Sequence, residues 1–206
     1  MGHPGNTVLP DDILERISRE AMLELPIRRY EGDVQVISAP AQVAHALADI
    51  LDEKVAGFDT ETRPAFRKGE WYPPCLLQLA TARKVYLFQL QQVDCSAAVI
   101  ELMSAAGTLK AGVSVADDLK NLKKLIAFED RSVVDVGSIA RRHGLKQTGV
   151  RNLAGMILGF RIPKGTKTSN WAVPRLSAQQ IAYAATDAWA CRELFLRFRE
   201  LEPAGS

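Results

Sequence analysis

The chain has 206 residues, of which 47% are hydrophobic and 24% are charged, and its formal net charge at pH 7 is +2. These values are typical of a soluble globular protein that forms one domain, with or without an extension. No segment approaches the apolar length that crosses a membrane, and the N-terminus lacks the pattern of a signal peptide. We therefore expect no membrane partner.

The three cysteines, Cys75, Cys95 and Cys191, are odd in number and far apart in the sequence. This spacing argues against a disulfide framework and against a zinc knuckle. We expect each thiol to be a small core side chain, with no disulfide-linked partner and a cytoplasmic location.

The distribution of charge is more informative than its total. Between Asp135 and Asp187 the chain has eight basic residues and no acidic residue. An acid-free basic segment beside an acidic half of the chain suggests a bound polyanion. The alternative is a solvated basic face with no partner.

Residues 1–30 are predicted to be an N-terminal helical extension of a domain that spans residues 31–203. A helix is expected over residues 11–25, because two acidic residues favour its start, apolar residues recur on one face, and Pro26 follows. The sequence indicates no role for this extension beyond packing on the domain.

The remaining chain predicts an α/β fold with a mixed sheet flanked by helices. Strands at 55–61, 75–80 and 85–88 follow one another without a helix, which favours an antiparallel meander. Strands at 109–113 and 133–135 alternate with helices, which is typical of parallel βαβ units. The other predicted elements are a strand at 33–37, a helix opening near residue 40, and helices at 96–104, 115–125, 136–142, 148–158 and 177–201.

The strand at 55–61 ends in two acidic residues, Asp59 and Glu61. Side chains alternate between faces along a strand, so both carboxylates point the same way, about 7 Å apart. Such a pair needs a cation between its members or a proton on one of them, and oxygen ligands favour Mg²⁺ or Mn²⁺. The alternative is a strand that ends in a solvated turn.

Two further acidic sites lie where helices meet the sheet. Asp117 and Asp118 open the helix after strand 109–113, where helix capping alone explains one of them. Tyr183 and Asp187 are one turn apart on the last helix and face the core. A buried aspartate needs a partner, which is a cation, the tyrosine hydroxyl or a nearby arginine.

Taken in order, these acidic motifs resemble those of the DnaQ-like 3′→5′ exonucleases of the DEDD superfamily, in the subgroup whose third motif carries a tyrosine. The chain is similar to ribonuclease D and the Werner-type exonuclease domain from about residue 34 to residue 198. The resemblance implies a ribonuclease H-like fold. Its motifs are Gly57-Phe-Asp-Thr-Glu61, Leu77-Gln-Leu79, Ala111-Gly-Val-Ser-Val-Ala-Asp-Asp-Leu119, Ser169-Asn-Trp171 and Leu176-Ser177 with Tyr183-Ala-Ala-Thr-Asp187.

The resemblance implies hydrolysis of phosphodiesters from the 3′ end of DNA or RNA by two Mg²⁺ or Mn²⁺ ions, with release of nucleoside 5′-monophosphates. It implies that Asp59 bridges both ions and that Glu61 and Asp187 hold the ion on the water side. Asp118 would support the other ion, and Tyr183 would hydrogen-bond the attacking water. The expected partner is single-stranded or 3′-end-exposed nucleic acid.

The candidate nucleic-acid contacts are basic and aromatic. Arg151, Lys164 and Lys167 belong to the acid-free segment and are expected to contact the backbone. Trp71 and Tyr72 are expected to stack on a terminal base, although large aromatic side chains are more often buried.

Two other functions are consistent with parts of the sequence. An aspartyl-nucleophile phosphatase would use Asp59 covalently, but it gives Tyr183 and Asp187 no task. A catalytically silent nucleic-acid-binding module on the same fold would not need all four acids and the tyrosine.

Overall fold

The structure is a computed structural model that describes residues 13–165 and 168–201. Within these residues, a six-stranded sheet is covered by helices on both faces. The elements in chain order are α1 (Arg19–Glu24), β1 (Asp33–Ile37), α2 (Pro40–Leu51), β2 (Val55–Thr62), β3 (Pro74–Ala80), β4 (Lys84–Gln89), α3 (Ser96–Ser104), β5 (Leu109–Gly112), α4 (Val115–Leu125), β6 (Val133–Asp135), α5 (Val136–Arg142), α6 (Val150–Leu153), a π-helix (Ala154–Leu158) and α7 (Ala178–Leu201).

The sheet has the strand order β1-β4-β3-β2-β5-β6. Strands β2, β3 and β4 pair antiparallel in succession, whereas β5 pairs parallel with β2 and β6 pairs parallel with β5. This arrangement confirms the predicted meander followed by parallel strands. Strand β1 closes the other edge by pairing parallel with β4.

The two faces of the sheet bury separate parts of the core. On one face, Phe58, Leu77 and Tyr86 pack with Ile50 of α2 and Val99 of α3. These side chains alternate along their strands with residues of the opposite face, as the pleat of a sheet requires. The first face therefore carries apolar packing beneath α2 and α3.

Helix α7 crosses the opposite face of the sheet. Its small residues Ala184 and Ala188 pack against Leu76 and Leu87, with Trp171 beside them. Small side chains let the helix lie close to the strands. This close packing sets the position of α7 around Ala184 and Ala188 on the sheet.

Two predicted helices differ from those observed. The helix expected over residues 11–25 begins only at Arg19, because the Ser18 hydroxyl caps it by accepting from the Ala21 N–H at 3.1 Å. Residues 13–18 are not helical, and residues 11 and 12 lie outside the described part of the chain. The helix expected over 148–158 begins at Val150 and widens into the π-helix before Gly159 ends it with φ of 72°.

Other expectations of the sequence are met or stay open. All three cysteines are free and buried, as expected of core side chains. No helix in the described residues is both long and apolar enough to cross a membrane. The boundary drawn between residues 30 and 31 stays a prediction.

Candidate active site

The site forms where α7 touches β2 at Gly57. A Cβ atom on Gly57 would lie 1.9 Å from the carbonyl oxygen of Ala188, so only a residue without a side chain permits this approach. Asp187 directly precedes Ala188 in the helix, and Asp59 lies two residues beyond Gly57 in the strand. The backbone contact therefore brings two distant acids together.

Three carboxylates meet at this contact. Asp59, Glu61 and Asp187 each place one oxygen within 4.8 Å of the others. Glu61 is 9% exposed and Asp187 is 5% exposed, whereas Asp59 is only partly buried. The pairing of β2 with β3 shifts register between Glu61 and Thr62, and such a bulge changes the direction of neighbouring side chains.

The three-acid cluster is electrostatically unfavourable without a cation. Burial raises the pKa of Asp59 well above its ordinary value, and the charges of Asp187, Glu61 and Asp118 raise it further. The Thr60 N–H donates to Asp59 Oδ1 at 2.9 Å and opposes this shift. Hard carboxylate oxygens that converge and repel one another fit a divalent cation such as Mg²⁺ or Mn²⁺.

Asp118 lies beside this cluster and not within it. Its Oδ1 accepts a hydrogen bond from the Thr60 hydroxyl at 2.5 Å, and burial raises its pKa against the effect of that bond. It is half-buried and lines the cleft, whereas Asp117 is exposed. Among the described residues, Asp118 is not part of the group whose oxygens lie within 4.8 Å. Its expected role as a metal ligand stays a prediction.

Tyr183 lies one turn before Asp187 on α7. Its ring packs against Trp171, with 5.9 Å between the ring centroids, and against the backbone at Gly165. Burial raises the pKa of Tyr183, and so do the charges of Asp187 and Glu61 and the hydrogen bond with Asp187. The hydrogen bond with Asp187 therefore holds the Tyr183 hydroxyl beside the three-acid cluster.

A cleft of about 1090 Å³ opens over the acids. Arg151, Lys164 and Arg161 line it. The contacts of Arg151 and Lys164 with a nucleic-acid backbone stay predictions. Arg151 is half-buried and donates to the Ile162 carbonyl at 3.0 Å, whereas Lys164 is exposed. Lys167 lies outside the described residues.

The predicted stacking residues Trp71 and Tyr72 do not line this cleft, and Trp71 lies beside α4. Trp71 is 49% exposed, with Lys124 Nζ 4.7 Å from its ring centroid, and its Nε1 donates to Asn121 Oδ1 at 3.1 Å. The Arg63 guanidinium lies 4.8 Å from the centroid of the Tyr72 ring. Their contacts with nucleic acid stay predictions.

Two residues that position the site were not singled out from the sequence. Thr60 stands between the two acids of β2, and its hydroxyl on the opposite strand face holds Asp118. Asp135 Oδ1 accepts the Ser114 N–H at 2.9 Å and supports the left-handed conformation of Ser114, φ 62°, directly before α4. Asp135 ends the short strand β6 directly before α5, which was the available signal for a loop-anchoring side chain.

Comparison with known proteins gives a consistent result. A family model described as 3'-5' exonuclease matches residues 34–201. The exonuclease mut-7 homolog of Aedes aegypti is 24% identical over 194 residues, which cover 82% of this chain and 27% of that protein. The bifunctional 3'-5' exonuclease/ATP-dependent helicase WRN of Mus musculus is 28% identical over 178 residues, which cover 81% of this chain and 13% of that protein. The chain thus spans a minor part of each of these relatives.

Solved structures support the same assignment at the level of the fold. Escherichia coli RNase D, described as an exoribonuclease involved in structured RNA processing, has a TM-score of 0.71 at 16% identity. The match covers 82% of this chain and 46% of that chain. The comparisons confirm the predicted resemblance and the ribonuclease H-like class of the fold.

Proposed function

We propose that this chain, which belongs to the 3'-5' exonuclease family, hydrolyses a nucleic-acid strand from its 3′ end with the help of divalent cations. The family, the sequence relatives and the structural neighbour support nuclease function on nucleic acid. The observation that carries the metal-dependent mechanism is the convergence of Asp59, Glu61 and Asp187 within 4.8 Å.

When bound, two Mg²⁺ or Mn²⁺ ions would act as Lewis acids toward the scissile phosphate and the attacking water. Asp59, Glu61 and Asp187 are the residues that would hold them, since they supply converging hard oxygen ligands. Asp118 is proposed as the fourth acidic ligand, with its carboxylate oriented by the Thr60 hydroxyl.

Residues of the chain orient the nucleophile. Tyr183 takes part through a hydrogen bond between its hydroxyl and the attacking water. Glu61 lies close enough to influence the pKa of Tyr183 and accepts a hydrogen bond from the same water. The two side chains together fix the direction from which the water attacks the phosphate.

The basic side of the cleft binds the strand. Exposed Lys164 and half-buried Arg151 neutralise backbone phosphates, whose repulsion by the acids would otherwise oppose binding. Such contacts carry no sequence preference. The proposed substrate is a DNA or RNA strand with an exposed 3′ end.

Digestion of matched 5′-labelled DNA and RNA, single- and double-stranded, with Mg²⁺ or Mn²⁺ tests this proposal. We expect a ladder that shortens from the 3′ end, nucleoside 5′-monophosphates as products, and full inhibition by EDTA. A 3′-phosphate should block the reaction, and a blocked 5′ end should not. Internal cuts on a circular strand would contradict an exonuclease.

The same assay separates the other two candidate functions. A phosphatase would instead leave a covalent phosphate on Asp59, visible by mass spectrometry after acid quenching. A silent module would bind the labelled strand and release no nucleotide with either cation.

A further inference from the structure

The N-terminal segment, residues 13–30, precedes the part of the chain that the family model matches, which begins at residue 34. Its end is nevertheless joined to the domain by backbone hydrogen bonds. The Arg28 N–H donates to the Arg161 carbonyl at 3.1 Å, and the Arg161 N–H donates to the Pro26 carbonyl at 2.9 Å. This bridge is a short parallel pairing, so the segment follows a defined path.

The start of the segment is fixed as well. The Ile17 N–H donates to Gln147 Oε1 at 2.9 Å. Ile17 and Met22 pack against Gly155 of the π-helix. A Cβ atom added to Gly155 would lie 2.7 Å from Met22 Cε and 3.3 Å from Ile17 Cδ1. Close packing of this kind holds the segment at both ends.

The segment fixed in this way forms one side of the cleft that contains the acids, and we call this side the N-terminal wall. It faces the cleft with apolar surface and one cation. Its residues are Ile17, Ser18, Arg19, Met22, Leu23 and Ile27.

The exposure of the wall points to a ligand. Leu23 is 54% exposed and Ile27 is 56% exposed, and Arg19, the first residue of α1, is also exposed. Single exposed apolar residues are common, but these two line one cleft next to a catalytic cluster. Apolar surface with a nearby guanidinium suits the faces of unpaired bases and a phosphate.

We propose that the N-terminal wall binds the nucleotides that precede the 3′ end of a single strand, with Leu23 and Ile27 against base faces and Arg19 against a phosphate. The inference rests on the proposed exonuclease function. The cleft volume of about 1090 Å³ exceeds the roughly 300–1,000 Å³ that holds one drug-sized ligand, so it has room beyond the terminal nucleotide. In a duplex, stacking between neighbouring base pairs covers these faces, and the wall therefore favours single strands.

Two substitutions with matched controls test the wall. Leu23→Ala and Arg19→Ala remove its apolar and charged contacts, whereas Leu14→Ala and Arg16→Ala change the same residue types in the same segment outside the cleft lining. Leu14 is 65% exposed, so its removal matches that of Leu23 in accessibility. Circular dichroism and thermal unfolding establish that all four variants fold.

The first measurement is the Kd of a 5′-fluorescein single-stranded 12-nucleotide probe by anisotropy, in EDTA, so that it does not depend on turnover. We expect each wall variant to weaken binding about five- to tenfold, the scale of one lost base or phosphate contact. The controls should bind as the parent does. In steady-state assays with Mn²⁺, the wall variants should raise KM and leave kcat close to that of the parent.

The outcomes separate this inference from the proposed function. Unchanged Kd in both wall variants, or equal losses in the controls, would overturn the wall as a binding surface even if the chain degrades DNA or RNA. Weaker binding by the wall variants alone would support it, and would still do so if no cation gave exonuclease activity.

Discussion

Replacing Gly57 with alanine tests whether the contact between β2 and α7 assembles the site. The added Cβ would lie 1.9 Å from the Ala188 carbonyl oxygen and 3.0 Å from the Arg192 nitrogen, so it meets backbone and not a movable side chain. A carbon normally approaches a carbonyl oxygen no closer than about 3.3 Å, so helix and strand must separate by roughly 1.4 Å.

This displacement has two measurable consequences. Overpacking in a well-packed core costs about 1–3 kcal/mol of the free energy of unfolding. Asp187 adjoins the point of contact, and a shift of about 1 Å in a catalytic group can lower the rate about 10²-fold. We expect Gly57→Ala to fold with reduced stability and to lose at least that factor in kcat/KM.

Urea unfolding measures the loss of stability, and release of 5′-monophosphates measures the loss of kcat/KM. Calorimetric titration with Mn²⁺ measures the expected weaker binding of metal to the displaced acids. The control is Gly107→Ala, because a Cβ at Gly107 meets nothing within 4 Å. A Gly57→Ala enzyme with the parent's stability and rate would refute the claim that this contact sets the geometry of the acids.

Three further predictions follow from charge. Asp59→Asn should abolish turnover. In EDTA at pH 8 the variant should be at least as stable as the parent, because the raised pKa of Asp59 means that its ionised carboxylate destabilises the fold as pH rises. The difference in Tm between variant and parent should shrink toward pH 4. Asp118→Asn should cost far more activity than Asp117→Asn, measured as kcat, since Asp117 is exposed; the reverse ranking would place the motif one residue away. Lys110 is fully buried and its pKa is lowered to about 8, so its charged form opposes folding below that pH. Lys110→Met should add about 1–3 kcal/mol at pH 7 after loss of the hydrogen bond to the Ala105 carbonyl, and the gain should fall toward pH 10; urea midpoints at both pH values measure it.

Much of the fold is predictable because it depends on local patterns. The strand with Asp59 and Glu61 ends an apolar run, and the hairpin of β3 and β4 has turn residues between two apolar runs. The capping box that starts α7 is also local, with Ser177 and Gln180 bonding to each other's backbone. Each of these elements begins and ends within about two residues of its predicted position.

The parts that were not predicted depend on residues far apart in the chain. No local sequence pattern indicates that β1 pairs with β4 or that Ile27 forms a bridge with Arg161. The need for glycine at position 57 becomes apparent only from its contact with α7 in the folded structure. The role of the Thr60 hydroxyl also cannot be predicted from local sequence, because its hydrogen-bond partner Asp118 is 58 positions away.

The backbone contact between β2 and α7 at Gly57 lies beside the three-acid cluster, and this has a consequence for metal binding. Apolar packing of α7 through Ala184 and Ala188 holds Asp187 against the repulsion of Asp59 and Glu61. Repulsion that packing maintains in the metal-free protein is relieved when a cation binds, so relief of strain adds to the affinity for the ion. Binding to the folded state alone raises stability by about 2.7 kcal/mol at a cation concentration 100 times Kd. Mg²⁺ or Mn²⁺ should therefore raise the Tm of the parent, and should raise that of Asp59→Asn much less, because that variant has lost both a ligand and the strain that binding relieves.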